Sequence, residues 1–262
     1  NSDVLVSEYW LDPILELMEG DETIAACQPK IKSLEEKNKF EYAGAAGGMM
    51  DRLGYPFCRG RIFDEIEEDN GQYDDRIDVF WTSGAAMVIR TDLYKKFNGL
   101  DPDYFAHQEE IDLCWRLKNA GYRLCYVPKS VVFHLGGGTL EYSNPKKTFL
   151  NYRNNLSTLF KNQSRGSLIW VMLQRLVFDL GSSFVFLIRG ELKTFSSIWK
   201  AYIAFIILIP SLINRRWQMR KTVQRFRIGP VDKSGRLHLN LPWNYFVKGK
   251  KTFSELSNEI LF

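Results

Sequence analysis

The chain has 262 residues, of which 45% are hydrophobic and 25% are charged, enough for one large domain or two small ones. Residues 1–140 carry 15 Lys and Arg against 25 Asp and Glu, a balance of −10, whereas residues 141–262 carry 20 against 6, a balance of +14. This split predicts two regions with different surroundings, and the basic region lacks a readout motif for nucleic acid. The four cysteines have no CxxC spacing, which argues against zinc and predicts buried free thiols in a reducing compartment.

The acidic region alternates between strand-like and helix-like segments. The predicted strands are residues 1–6, 23–31, 123–128 and 130–139, with two short strands within 77–90 that are broken at Ser83 and Gly84. The predicted helices are residues 10–21, residues 92–98 with Thr91 as cap, and a helix that begins near Glu109 and is closed by Asn119 and Gly121. Glycine-rich residues 41–75 predict a long irregular functional loop. The alternation of strands and helices predicts an α/β layer fold.

Three carboxylates, those of Glu109, Glu110 and Asp112, stand at the start of the third predicted helix. Acids in a first turn have a structural explanation, because they favour the positive end of the helix dipole. With Glu110 set to 0°, a helical projection places Asp112 and Arg116 at about 200° and 240°, on the polar side, as an i,i+4 pair. Glu110 instead points into the apolar arc. A carboxylate directed inward needs a partner, a metal or a water-filled cleft, so Glu110 is the candidate for chemistry.

Two further candidates stand at strand ends. Asp3 lies in the segment Asn-Ser-Asp, and His134 closes an apolar strand that runs into three glycines. Each has an ordinary explanation, as a turn former and as a solvated or hydrogen-bonded histidine. Glycines, however, permit close approach of backbone to a ligand, and neutral imidazole is a common metal ligand. Together with a nearby base, Asp3 and His134 suit a divalent cation that holds a diphosphate.

At these residues the sequence resembles family 2 glycosyltransferases of the GT-A fold, particularly the bacterial rhamnosyltransferase-like branch. Residues 1–21 look like the segment that begins at the family's Asp-x-Asp-type metal motif, and residues 101–128 look like its acidic catalytic motif. Residues 130–139 are similar to its metal-side histidine and glycine loop, and residues 80–90 to the stretch that shapes the acceptor side. The resemblance extends from residue 1 to about residue 160.

The implied fold is α/β, with the C-terminal part of a GT-A (Rossmann-like) domain at residues 1–142. A helical, membrane-associating tail follows at residues 143–262. In the family, a nucleotide-binding half precedes the metal motif, so the resemblance implies a missing N-terminal portion and a fragment that is inactive alone.

Carried over residue by residue, the resemblance implies that Asp3 binds Mg²⁺ or Mn²⁺ on the nucleotide diphosphate and that His134 approaches the same metal. Glu110 would be the general base, with a pKa raised by its apolar surround; Asp112 and Glu109 are the alternative catalytic carboxylates. The implied substrate-binding residues are Trp81, Ser83, Gly84, Arg116, Gly136 and Gly137. The family often has Glu-Asp where this chain has Glu109 and Glu110, and Asn1 replaces the first acid of the metal motif.

The implied function is inverting transfer of a sugar, such as rhamnose, from a nucleotide-diphosphate donor to a lipid-linked or polysaccharide acceptor. Such an enzyme takes part in the biosynthesis of cell-surface polysaccharide. The alternative is a non-catalytic module, derived from such an enzyme, that docks on membranes or binds another protein.

The basic region contains two apolar runs, at residues 168–188 and 198–213. Polar residues and a proline interrupt them, so neither is a clean span of roughly 20 apolar residues. A basic cluster flanks the second run: Arg215, Arg216, Arg220, Lys221, Arg225 and Arg227. Apolar helices beside such a cluster predict association with the anionic, cytoplasmic face of a bacterial cell membrane, by insertion into one leaflet. The alternative is a pair of buried helices in a soluble helical domain.

Overall fold

The computed structural model describes residues 2–136 and 144–257, and its first part is a mixed α/β structure, which confirms the predicted class. The strands are β1 (Val4–Val6), β2 (Ile24–Ser33), β3 (Gly48–Met50), β4 (Pro56–Cys58), β5 (Arg61–Ile62), β6 (Glu65–Ile66), β7 (Ile77–Asp78), β8 (Val88–Ile89) and β9 (Arg123–His134). The helices are α1 (Asp12–Gly20), α2 (Thr91–Lys96), α3 (Glu109–Asn119), α4 (Pro145–Asn162), α5 (Arg165–Ile188), α6 (Leu192–Arg225) and α7 (Phe253–Ser257). Short helical turns lie at Pro102–Tyr104 and Trp243–Val247.

Strands β2 and β9 run parallel at the centre of the main sheet. β8 pairs antiparallel with β2, while β1 and β7 pair antiparallel with different parts of β9. The first eight residues of β2 are buried, as expected for a central strand that is covered on both faces. The register places His134 opposite Val4 of β1 and Ser33 of β2. His134 and Asp3 therefore meet at the same edge of the sheet.

Helices cover both faces of this sheet. On one face, α1 buries Ile14 and Met18 in a cluster that includes Cys27 and Cys125 of the central strands. On the other face, α3 contributes apolar side chains such as Leu113 to the largest core cluster. All four cysteines are free and buried, which confirms the interpretation made from their spacing.

The prediction of an irregular loop at residues 41–75 is wrong in part, because the short strands β3 to β6 lie within it. They pair in chain order as a small antiparallel sheet. Each is only two or three residues long, which is too short for alternation of apolar and polar residues to appear in the sequence.

Asp112 and Arg116 form the predicted ion pair, with 3.0 Å between Oδ2 and Nε, but both side chains are buried. The polar side of α3 faces α4 instead of solvent. Asp112 Oδ1 lies 3.1 Å from Lys161 Nζ and accepts a hydrogen bond from Asn162 Nδ2 at 2.7 Å. A helical projection identifies this polar side, but it does not show that another helix covers it.

Helices α5 and α6 contain the two apolar runs, and by length and composition both could cross a membrane. That criterion is weak for one or two helices, because buried helices of soluble proteins also meet it. Here, however, the polar side chains of Arg175 and Asp179 face inward and are 2% and 1% exposed. Several large apolar side chains are more than half exposed: Ile169, Trp170, Leu173, Val177, Ile203, Ile206 and Ile207.

The basic cluster after the second apolar run is divided between internal contacts and solvent. Arg215 pairs with Asp101 at 2.6 Å and also with Asp103. Arg216 is buried and donates to three carbonyl oxygens at the carboxyl end of α4. The expectation that the whole cluster faces an anionic surface is therefore wrong for Arg215 and Arg216. The exposed members are Lys221, Arg225 and Arg227.

After α6 the chain returns to the α/β part. Asp232 Oδ2 lies 2.5 Å from Lys118 Nζ, and the Leu237 N–H donates to the Met50 carbonyl at 2.8 Å. Leu241 belongs to the largest core cluster together with residues of the sheet. These contacts join residues on both sides of the predicted domain boundary at residue 142. The boundary itself stays a prediction.

Gly48 provides a test of the packing between β3 and the main core. A Cβ at Gly48 would lie 2.3 Å from Trp81 Cδ2 and 2.5 Å from the Trp81 carbonyl oxygen. A buried indole and a backbone oxygen cannot easily move away from an added methyl group. Gly48→Ala should therefore lower the free energy of unfolding by about 2 kcal/mol or more. In α5, a Cβ at Gly181 meets nothing within 4 Å. The control Gly181→Ala should be neutral or stabilising by up to about 1 kcal/mol.

Denaturant unfolding in detergent, followed by circular dichroism, measures both variants. Equal stabilities of Gly48→Ala and Gly181→Ala would contradict the described contact with Trp81.

Candidate active site

The turn before α3 has an unusual backbone. Phe105, His107 and Gln108 have φ values of 65°, 67° and 75°. Non-glycine residues with positive φ are uncommon, and such strain is concentrated at functional sites where the surrounding structure maintains it. The turn leads directly into Glu109 and Glu110, the first residues of α3. Its conformation therefore determines where these two carboxylates point.

Glu110 is partly buried at the start of α3. Its Oε2 atom is buried and makes no hydrogen bond to any residue within the described ranges. Burial, followed by the negative charge of Glu109, raises the pKa of Glu110 to about 8. Exposed Gly84 lies beside it, where a Cβ would be 3.8 Å from Glu110 Cγ. The glycine leaves space on that side of the carboxylate.

The other two carboxylates of α3 differ from Glu110 and from each other. Burial raises the pKa of Glu109, whose Oε2 atom is also buried without a hydrogen-bond partner among the described residues. Asp112 is fully buried and paired with Arg116 and Lys161. Because those cations and Asn162 already occupy the Asp112 carboxylate, its contacts indicate a structural role. The geometry favours Glu110 as the base, and the assignment stays a prediction.

The second half of the site joins Asp3, His134 and Glu41. His134 Nε2 lies 3.3 Å from Asp3 Oδ2, and His134 Nδ1 lies 3.3 Å from Glu41 Oε1. The hydrogen bond to Glu41 is the main cause that raises the pKa of His134. Sequence analysis missed Glu41; its only signal is its place at the start of the glycine-rich segment. The Glu41 carboxylate also accepts a hydrogen bond from the Ala43 N–H at 2.5 Å.

These residues fit a metal only in part. Within residues 2–136 and 144–257, no group of three or more His, Cys, Asp and Glu side chains is arranged to hold an ion by itself. Asp3 Oδ1, however, is buried and accepts no hydrogen bond from this part of the chain, so it can serve as a ligand. Gly136 has φ +62°, and a Cβ there would lie 2.7 Å from Glu41 Oε1. Gly137, the other predicted glycine, is outside the described residues.

Buried hydrogen bonds join the loop beside Glu110 to the loop that bears Glu41. The Ser83 hydroxyl donates to the Ala43 carbonyl at 2.5 Å, and the Ser83 N–H donates to Gln28 Oε1 at 2.9 Å. Gln28 in turn donates to the Gly44 carbonyl at 3.1 Å. Gly84, in the loop that contains Ser83, lies beside Glu110, and Glu41, in the loop that contains Ala43, contacts His134. The two halves of the site are thus joined through buried hydrogen bonds.

The structure does not support substrate binding by every residue predicted for it. Trp81 is buried, and its Nε1–H donates to the Met49 carbonyl at 2.9 Å. Arg116 is buried too, and donates to the carbonyl oxygens of Phe97 and Gly99 besides its ion pair. Ser83 is 3% exposed and forms the loop contacts above. Of the predicted residues around the base, Gly84 is the exposed one.

The raised pKa of Glu110 has a consequence for stability. In the folded protein Glu110 stays protonated up to a pH of about 8, whereas the unfolded chain ionises near the ordinary value of 4.5. Unfolding between these values releases a proton, so Glu110 lowers the stability progressively as pH rises through this window. Glu110→Gln resembles the protonated form. Its stability relative to the parent protein should therefore increase between about pH 5 and pH 9.

Thermal unfolding at a series of pH values measures this difference. Glu16→Gln, on the exposed side of α1, is the control for the removal of a surface carboxylate. A Glu110→Gln difference that stayed constant with pH would contradict the described burial of this carboxylate.

Comparisons with known proteins show which proteins this chain resembles. Residues 45–159 match the family model described as "Glycosyltransferase like family 2". Rhamnosyltransferase WbbL of Escherichia coli (strain K12) is 44% identical over 62 residues, which are 24% of this chain and 23% of that protein. An N-acetylglucosaminyl-diphospho-decaprenol L-rhamnosyltransferase of Mycobacterium tuberculosis is 38% identical over 88 residues, which are 34% of this chain and 28% of that protein.

A solved structure titled "Crystal structure of GalNAc-T7 with UDP, GalNAc and Mn2+" aligns with 60% of this chain and 29% of that chain. The sequence identity is 15% and the TM-score is 0.40, a value too low to establish a shared fold. The chain spans about a quarter of the length of the curated relatives it matches. The family match nevertheless includes the base candidate Glu110 and the turn before it. Residues 45–159 therefore match a glycosyltransferase family 2 model, and the chain is similar to rhamnosyltransferases.

Proposed function

We propose that the protein transfers a sugar, L-rhamnose in the first instance, from a nucleotide-diphosphate donor to a lipid-linked acceptor, with inversion at the anomeric carbon. One observation carries this proposal. Glu110 is a carboxylate with a buried, unpartnered oxygen and a raised pKa, beside exposed Gly84. The similarity to an L-rhamnosyltransferase whose name includes N-acetylglucosaminyl-diphospho-decaprenol supports rhamnose and a lipid-diphosphate acceptor.

Glu110 acts as the general base. Its ionised carboxylate accepts the proton of the acceptor hydroxyl, and that oxygen forms a bond to the anomeric carbon as the bond to the diphosphate breaks. Attack from the face opposite the leaving group inverts the configuration. A pKa of about 8 makes this carboxylate a stronger base than an exposed glutamate while a fraction stays ionised at neutral pH.

Asp3 and His134 would hold the divalent ion, Mg²⁺ or Mn²⁺, that GT-A enzymes of this family use. When bound, such an ion supplies positive charge that stabilises a leaving diphosphate. Because the residues present supply fewer than three ligands, donor phosphate oxygens and water would complete the set. Glu41 contacts Nδ1 of His134 and thereby directs Nε2 toward Asp3.

Two substitutions in the full-length protein separate these roles. Glu110→Gln should lower the transfer rate by at least about 10²-fold with little loss of donor binding, because general bases contribute roughly 10²–10⁴-fold. Asp3→Asn should instead weaken the metal-dependent binding of the donor. Radiolabelled transfer to lipid extract and calorimetry with nucleotide diphosphate and Mn²⁺ measure the two effects, with Glu16→Gln as control. Near-normal turnover of Glu110→Gln would refute the base assignment, and Asp112 would be the next candidate.

We propose further that α5 and α6 lie in one leaflet at the cytoplasmic face of the membrane. Exposed apolar side chains on both helices, such as Val177 and Ile207, form a surface suited to lipid. Inward-facing Arg175 and Asp179 hold α5 to the protein, so only part of its circumference is free for lipid. Such a helix lies in the interface more readily than it spans the bilayer.

Vesicle co-sedimentation tests the membrane proposal. Replacing Val177, Ile203 and Ile207 by Gln should release the protein from both neutral and anionic vesicles, because the apolar contribution is roughly 25 cal/mol per Å² of buried surface. Replacing Lys221, Arg225 and Arg227 by Gln should remove only the salt-sensitive part of the binding, since only charge interactions are screened. Absence of binding to anionic vesicles at low salt would contradict the proposal and favour a soluble arrangement of these helices.

A further inference from the structure

The strained turn before α3 is held by two neighbouring asparagines of α4. Asn154 Nδ2 donates to the carbonyl oxygens of Tyr104, Ala106 and His107, at 3.0, 2.8 and 2.8 Å. These are backbone contacts, so they hold the path of the turn itself. Asn154 is 2% exposed, and water therefore does not compete for these bonds.

Asn155 holds the last residue of the same turn through its side chain. Its Nδ2 atom donates to Gln108 Oε1 at 3.1 Å and to the Gly54 carbonyl at 2.9 Å. Gln108 has positive φ and directly precedes Glu109 and Glu110. The helix begins without a side-chain cap from Gln108. The bond from Asn155 therefore restrains the Gln108 side chain.

The orientation of the Asn155 amide is in turn determined by α5. Arg175 Nη1 donates to Asn155 Oδ1 at 2.5 Å. Since a guanidinium only donates hydrogen bonds, the amide oxygen must face Arg175 and the amide nitrogen must face the turn. The carboxylate of Asp179 holds Arg175, and accepts a hydrogen bond from Tyr202 of α6 at 2.7 Å. A buried chain of polar contacts thus runs from α5 and α6 to the residue before the glutamates.

We propose that Asn154 and Asn155 are positioning residues for Glu110, and that Arg175 of α5 orients Asn155 for this task. The proposal rests on the proposed function, in which Glu110 is the general base. The two asparagines stabilise a backbone conformation that the turn would otherwise leave. The direction of the Glu110 carboxylate follows from that conformation. Helix α5, which carries exposed apolar side chains, is thus connected through Arg175 and Asn155 to the turn before Glu110.

The test compares Asn154→Ala and Asn155→Ala in the full-length protein. Loss of positioning should lower kcat by about 10-fold or more while the KM for the nucleotide-diphosphate rhamnose changes less than about twofold, because misplacement by about 1 Å costs up to 10²-fold. The turn would also relax and admit water to Glu110. The acidic limb of the kcat/KM profile should therefore move to lower pH. Among the described residues, Glu109 and Cys114 interact electrostatically with Glu110, and neither is altered in these variants.

The control is Tyr152→Phe. It removes the hydrogen bond between Tyr152 and Ser182, at 3.1 Å, which also joins α4 to α5 but does not reach the turn. It should leave kcat and the pH profile unchanged. If either alanine variant fails to fold, Asn155→Asp keeps an acceptor for Arg175 while it loses the donor to Gln108. It should show the same loss of kcat at constant KM.

A normal kcat in folded asparagine variants would overturn the proposal. So would a loss of kcat that only equals the unfolded fraction of the variant, with the acidic limb of the pH profile unmoved. Glu110→Gln, measured in the same assay, separates this from failure of the proposed function. If Glu110→Gln is inactive and the asparagine variants are normal, only the positioning role is refuted. If Glu110→Gln keeps normal turnover, the base assignment itself is refuted.

Discussion

The arrangement around α3 depends on one constraint, which is that Oε2 of the Glu110 carboxylate is buried without a hydrogen-bond partner among residues 2–136 and 144–257. Burying such a group is unfavourable, and the protein reduces the penalty by protonating it, as the raised pKa shows. The preceding turn must also keep its positive φ at His107 and Gln108. Buried Asn154 of α4 donates to carbonyl oxygens of that turn, and buried Asn155 donates to the side chain of Gln108. Local strain and an unpaired acid are thus maintained by packing elsewhere.

Asp112 and Glu110 of α3 differ in their contacts because they face different parts of the protein. Asp112 lies two residues from Glu110, yet it faces α4 and pairs with Arg116 and Lys161. Glu110 faces the loop that contains Gly84 and has no such partner among the described residues. This difference in partners is why we propose Glu110, and not Asp112, as the base.

Helix α5 has two sides with different tasks. Its outward side bears exposed apolar residues such as Trp170 and Val177. Its inward side bears Arg175 and Asp179, which join tyrosines of the first region and of α6 in one buried network. A buried ion pair is weak evidence of net stability, but it specifies which side of the helix faces the protein. This division explains why the apolar run is interrupted at regular places.

The sequence by itself determined the alternation of strands and helices, the acidic start of α3, the position of His134 at a strand end and the two apolar helices. These features follow from local periodicity and from helix ends. Only the tertiary structure decided that Glu41 lies beside His134, that residues 41–75 form short strands, and that Arg216 faces inward. Each of these depends on contacts between residues far apart in the chain. A local sequence pattern does not show which distant residue will pack against a polar side chain. Those long-range contacts distinguish the paired acid Asp112 from the proposed base Glu110.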